Sequence, residues 1–120
     1  MSDSFRDRRT HPRYDRQFEL QGAPEEGGVV ARMTADNLSE GGLYCTSTVD
    51  FPEMTRLAIR LILPFTKNGS TETEPIDVEA VVVRRESFSA SNGDARYKLA
   101  LFFINVENGT RESLSRFLAG

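Results

Sequence analysis

Runs of alternating apolar and polar residues recur along this chain, and their two-residue period constrains the fold more than any other feature. Leu57, Ile59, Leu61 and Leu63 share one phase, with Arg56 and Arg60 on the other. Ile76, Val78, Ala80 and Val82 repeat the pattern to about Arg85. Successive side chains of an extended strand point to opposite faces, so each run describes a ribbon with one apolar and one solvated side. Leu99, Leu101 and Phe103 give a further run between about Arg96 and Val106, and Phe18 and Leu20 a shorter one. Val29–Thr34 and Leu43–Thr48 also read as strands. Residues 22–28, Gly-Ala-Pro-Glu-Glu-Gly-Gly, form a turn, and Asn92-Gly93 marks a hairpin between the last two strands. Asn68-Gly69 punctuates the loop before the fifth strand in a similar way. Only the tail changes period. Leu114, Phe117 and Leu118 fall at i, i+3 and i+4, the spacing of a short amphipathic helix with Asn108 as its expected N-cap.

Six one-sided strands bury their apolar faces most completely by closing on themselves, which also removes the sheet edges. The predicted fold class is therefore mainly β: a six-stranded antiparallel β-barrel with a short C-terminal α-helix. A sandwich of the same strands would show the same periodicity. The 120 residues suit one domain, large enough for a core without metals or disulfides. No run approaches the roughly 18 apolar residues of a membrane span, so no membrane insertion is expected. The charged N-terminus has no apolar signal region, and the single cysteine, Cys45, fits a reducing compartment. A cytoplasmic location is the expectation.

Charge is distributed unevenly. Residues 1–16 carry Arg6, Arg8, Arg9, Arg13 and Arg16 against three aspartates, whereas the remaining residues carry a net charge of −5. A binder of long nucleic acid would show a broader basic surface, and a single-stranded binder a basic aromatic groove, so no direct DNA binding is expected. Clustered guanidiniums instead suit a small, discrete anion, although a solvated arm has the same composition. Enzymatic constellations are missing. The sole histidine, His11, lies in this polar segment and cannot build a triad or, with one cysteine, a zinc site. No phosphate-binding Gly-Lys loop is present, and the carboxylate pairs Glu25-Glu26 and Glu72/Glu74 sit in solvated turns.

Two polar constellations remain. Arg9-Thr10-His11-Pro12-Arg13 has the form R-x-x-x-R, and Pro12 holds His11 extended, so these arginines are not a helical pair. Between two strands lies Asp36-Asn37-Leu38-Ser39-Glu40-Gly41-Gly42. Asn37 and Ser39 can hydrogen-bond a ligand or their own backbone, and Gly41 and Gly42 permit positive φ and close approach. Taken alone, that stretch also reads as an ordinary Asx-type turn.

In this order and at this separation, the two motifs resemble those of the PilZ domain family, marked by R-x-x-x-R followed by [D/N]-x-S-x-x-G. The likeness extends over nearly the whole chain, including the Tyr97–Phe103 strand and the terminal helix. One departure is Ala100, where the family often has glycine, three residues before a phenylalanine matching Phe103.

The resemblance implies a non-enzymatic receptor for the second messenger cyclic di-GMP, without other cofactors or metals. Residues 1–15 would be a flexible Arg-rich ligand-binding arm and residues 16–120 the PilZ-like barrel with its helix. Arg9 and Arg13 would hold phosphates or guanine Hoogsteen edges. Asn37 and Ser39 would hydrogen-bond base or phosphate, with Gly41 beside them and Gly42 leaving room for the ligand. Arg8 would support an intercalated ligand dimer, with Asp36, Glu40 and Arg84 as surrounding residues. Binding would order the arm and signal to an unidentified downstream protein. The alternative is a PilZ-like protein–protein adaptor that does not depend on cyclic di-GMP.

Overall fold

The computed structural model describes Tyr14 and residues 16–119. Six strands form the body: β1 (Phe18–Pro24), β2 (Ala31–Leu38), β3 (Gly42–Ser47), β4 (Arg56–Lys67), β5 (Ser70–Ser89) and β6 (Ala95–Ile104). Every neighbouring pair is antiparallel, and the order β1-β2-β3-β6-β5-β4 closes into a barrel because β1 pairs with both β2 and β4. Closure settles the choice between barrel and sandwich. The apolar phase of each strand points inward: Leu20, Leu57, Leu61, Leu63, Val82 and Leu99 are among the most completely buried side chains.

One helix, α1 (Asn108–Ala119), follows the last strand. Arg111 N–H donates to Glu107 O at 2.9 Å, which places the N-cap position on Glu107, one residue before the expected Asn108. Leu114 is fully buried in the core, and Phe117 and Leu118 pack at its margin. Phe117 meets the Tyr14 ring at a centroid distance of 4.8 Å, and Tyr14 meets Phe18 at 6.0 Å. The helix therefore covers the barrel end where β1 begins and β2 finishes.

Several strand boundaries differ from the sequence reading. Val29 and Val30 are exposed loop residues, because the β1–β2 ladder ends at Gly22↔Ala31 and β1 continues to Pro24 against β4 alone. Residues Asn68 (φ 52°) and Gly69 (φ 82°) are themselves the two-residue β4–β5 hairpin, closing on Lys67↔Ser70. That hairpin runs beyond the barrel, and residues 70–78 of β5 pair only with β4. Glu72, Glu74 and Pro75 guard this free edge against pairing with another chain.

Candidate functional site

The second polar motif begins inside β2. Ala31, Met33 and Ala35 point inward, so strict alternation would bury Asn37 and expose Leu38. A bulge prevents this. The β2–β3 register passes from Ala35↔Cys45 to Asn37↔Tyr44, leaving Asp36 as the extra residue. Leu38 consequently enters the core with no exposure, and Asn37 turns to the outer face beside Tyr44.

A second bulge mirrors the first across the sheet. On β5 the register passes from Val82↔Leu101 to Arg84↔Ala100, with Val83 as the extra residue. Val82 stays buried and Arg84 emerges on the outer face. Tyr44 pairs with Ala100, so Asn37, Tyr44, Ala100 and Arg84 form one outward row across β2, β3, β6 and β5.

Two adjoining clefts open on this row. One, of about 370 Å³, is lined by Asn37, Ser39, Gly41, Gly42, Tyr44 and Phe102, with Val83 and Ala100 at its side. The other, of about 320 Å³, gathers Asp36, Asn37, Arg84, Glu86 and Lys98. Asn37, Tyr44 and Ala100 are common to both. Asp36 accepts a hydrogen bond from Gln17 Nε2 at 3.2 Å, which ties the bulge to the entry of β1. Of the ten positions read from the sequence, six are thus gathered around these clefts. Glu40 lies exposed at the turn tip and lines neither, and Arg8, Arg9 and Arg13 fall outside the described residues.

The turn itself is tightly drawn. Ser39 N–H donates to Gly42 O at 2.9 Å, and Ser39 Oγ donates to the same oxygen at 3.3 Å. This uses the hydroxyl's proton and leaves its lone pairs able to accept from a ligand N–H. Gly41 O accepts from Phe103 N–H at 2.9 Å, anchoring the turn to β6. Neither Gly41 nor Gly42 uses the positive φ that glycine permits. Gly42 is required for a different reason: a Cβ there would strike the carbonyl oxygen of Leu101 on β6. Its lack of a side chain lets two strands approach, whereas Gly41 has open space around it.

A backbone bridge joins Tyr14 to the second motif. Tyr14 N–H donates to Leu38 O at 2.8 Å, and Leu38 N–H donates to Tyr14 O at 2.8 Å. Leu38 lies between Asn37 and Ser39, and Tyr14 immediately follows Arg13 in sequence. The anchor point of the arginine-rich segment is therefore one residue from both polar groups of the turn.

The sequence reading missed Tyr44, Val83 and Phe102. Their signal was present: Tyr44 and Phe102 are aromatic residues on the outward phase of β3 and β6. A further cleft, about 550 Å³, lies around the barrel on β1, β4 and β5 and contains none of the motif residues. Near its rim the exposed Glu25 carboxyl is raised above its ordinary range, chiefly by a hydrogen bond with Glu79. Among the described residues no cluster of three His, Cys, Asp or Glu side chains suits a metal, and no helix is long and apolar enough to cross a membrane.

Known structures share this fold. The Bacillus subtilis inhibitor of motility MotI/DgrA superposes with a TM-score of 0.67 at 25% identity, covering 91% of this chain and 48% of that one. The chain thus spans about half the length of that relative. The PilZ domain of Escherichia coli YcgR, solved with c-di-GMP, gives a TM-score of 0.61 at 17% identity, covering 93% and 89% of the two chains. The PilZ domain of CeSA from a cellulose-synthesizing bacterium gives 0.58 at 20% identity, covering 90% and 95%. No curated protein matches the sequence. The PilZ domain family matches residues 7–120, nearly the full chain, and the chain belongs to that family.

Proposed function

We propose that this protein is a non-enzymatic receptor for cyclic di-GMP. The observation that supports this reading is the Tyr14–Leu38 bridge, which fixes the residue that follows the R-x-x-x-R motif in sequence next to Asn37 and Ser39. Arg9 and Arg13 grip phosphate or the O6/N7 edge of guanine through forked, charge-assisted bonds. Asn37 and Ser39 supply neutral hydrogen bonds to base or phosphate from the adjoining cleft. Arg84, turned outward by its bulge, adds positive charge on the far side of the row, and Asp36 borders the same cleft. Arg8 supports a second, intercalated ligand. Closure of the arm over the turn then creates a surface that a downstream protein reads.

Calorimetric titration with cyclic di-GMP, with GTP and linear pGpG as controls, tests this reading. Binding should be specific to the cyclic dinucleotide and saturate near two ligands per chain. Arg9→Ala or Arg13→Ala should weaken it by about ten- to a hundredfold, the equivalent of a charge-assisted hydrogen bond of roughly 1.5–3 kcal/mol. Arg8→Leu should move the stoichiometry toward one. Absence of heat and of competition at high micromolar ligand would overturn the receptor reading. It would favour a ligand-independent adaptor role, a reading supported by the likeness to the B. subtilis inhibitor of motility.

A further inference from the structure

The outer face of a small barrel is normally polar, yet three large apolar side chains crowd the cleft beside Asn37 and Ser39. Tyr44, Phe102 and Val83 are 50%, 53% and 50% exposed. Each aromatic ring stands opposite a residue with little or no side chain. Tyr44 pairs with Ala100, and Phe102 pairs with Gly42. Small partners leave ring faces uncovered, where a bulky cross-strand neighbour would pack over them. Tyr44 and Phe102 are also diagonal neighbours on adjacent strands, about 7–8 Å apart at the backbone and within mutual reach of aromatic side chains. Their cleft is continuous with the hydrogen-bonding groups of the turn, because Asn37, Ser39 and Gly41 line it too.

An uncovered aromatic surface bordered by short hydrogen-bonding side chains suits a planar heteroaromatic ring. Its face stacks while its edge is read by amide and hydroxyl groups. Across Ala100 from Tyr44, Arg84 stands two strand spacings away, about 10 Å, with the Ala100 methyl between them. The row is therefore a slot with an aromatic wall, a shallow floor and a cationic wall. The family-typical arginine and Asn/Ser motifs do not account for these aromatic residues.

We propose that Tyr44 and Phe102 form a stacking platform for a guanine base of the bound dinucleotide, with Ala100 as the floor of the slot. This inference rests on the cyclic di-GMP reading and adds to it the residues that hold a base by its face.

The test uses the full chain and cyclic di-GMP. The sequence contains no tryptophan and three tyrosines, Tyr14, Tyr44 and Tyr97, so tyrosine emission can be followed directly. Ligand should quench part of that emission. Tyr44→Phe should retain affinity within about twofold yet lose most of the quench, because a ring still stacks but the emitter is gone. Tyr44→Ala and Phe102→Ala should each weaken binding about five- to a hundredfold, the range for loss of one base–aromatic stack. Ala100→Leu should weaken binding by filling the slot, without altering any motif residue. Unchanged affinity in both alanine variants, or a Tyr44→Phe quench equal to the parent's, would overturn the platform while ligand binding itself stood. Failure of the parent protein to bind would instead overturn the receptor reading beneath it.

Discussion

Replacing Gly42 by alanine separates two explanations of the same residue. If Gly42 served only to make room for a ligand, Gly42→Ala would leave the unliganded protein as stable as the parent. The structure predicts otherwise. An added Cβ meets the Leu101 carbonyl and lies 3.2 Å from the Phe102 Cα, both backbone atoms that cannot rotate aside. Nor can β6 retreat freely, because it is held between β3 and β5. Overpacking of this kind costs about 1–3 kcal/mol, and a displaced strand pair lies at the upper end. For a domain of this size that corresponds to a fall in Tm of roughly 5–20 °C. Gly41→Ala is the internal control, since nothing lies within 4 Å of its added Cβ, and its stability should stay within about 0.5 kcal/mol. Thermal and urea denaturation without ligand give the answer. A Gly42→Ala protein that melts with the parent would refute the strand-contact argument, as would a Gly41→Ala protein destabilised to the same degree.

Three further outcomes follow from packing and charge. Tyr14→Ala should lower stability by about 2 kcal/mol through loss of its contacts with Phe18 and Phe117, and it should also weaken cyclic di-GMP binding by loosening the tether at Leu38; calorimetry and urea melts check both. Burial pushes the Cys45 thiol up to about 12, with the Asp36 charge adding to the effect, so the native protein should resist thiol reagents at pH 8 and react only when unfolded. Above the ordinary thiol range the unfolded chain releases this proton and the folded one retains it, so Cys45 also makes stability fall as pH rises toward 12. Arg85 hydrogen-bonds Asp50 and holds that carboxyl below its usual range. Because the folded value is depressed, its contribution is present above about pH 4 and disappears as pH falls through the folded value; Asp50→Asn should flatten that part of an acid-denaturation profile.

Along the long regular runs the sequence alone determined which residues face inward. Leu57, Ile59, Leu61 and Leu63 could bury only one face of an extended strand, and the same holds for Ile76 through Val82 and Leu99 through Phe103. The change of period at Leu114 and Phe117 likewise disclosed the helix. Residue chemistry and spacing exposed the two polar motifs, because short hydrogen-bonding groups and clustered guanidiniums are visible without coordinates. Periodicity, however, defines a strand's faces and leaves its partner open. Closure of β1 onto β4 was therefore a tertiary decision. So were the bulges at Asp36 and Val83, since an extra residue exists only relative to the register of a neighbouring strand. Those two bulges turn Asn37 and Arg84 outward into the row with Tyr44 and Ala100. Gly42 shows the same division: its identity was plain in the sequence, but the carbonyl it must avoid belongs to a strand 59 residues further along.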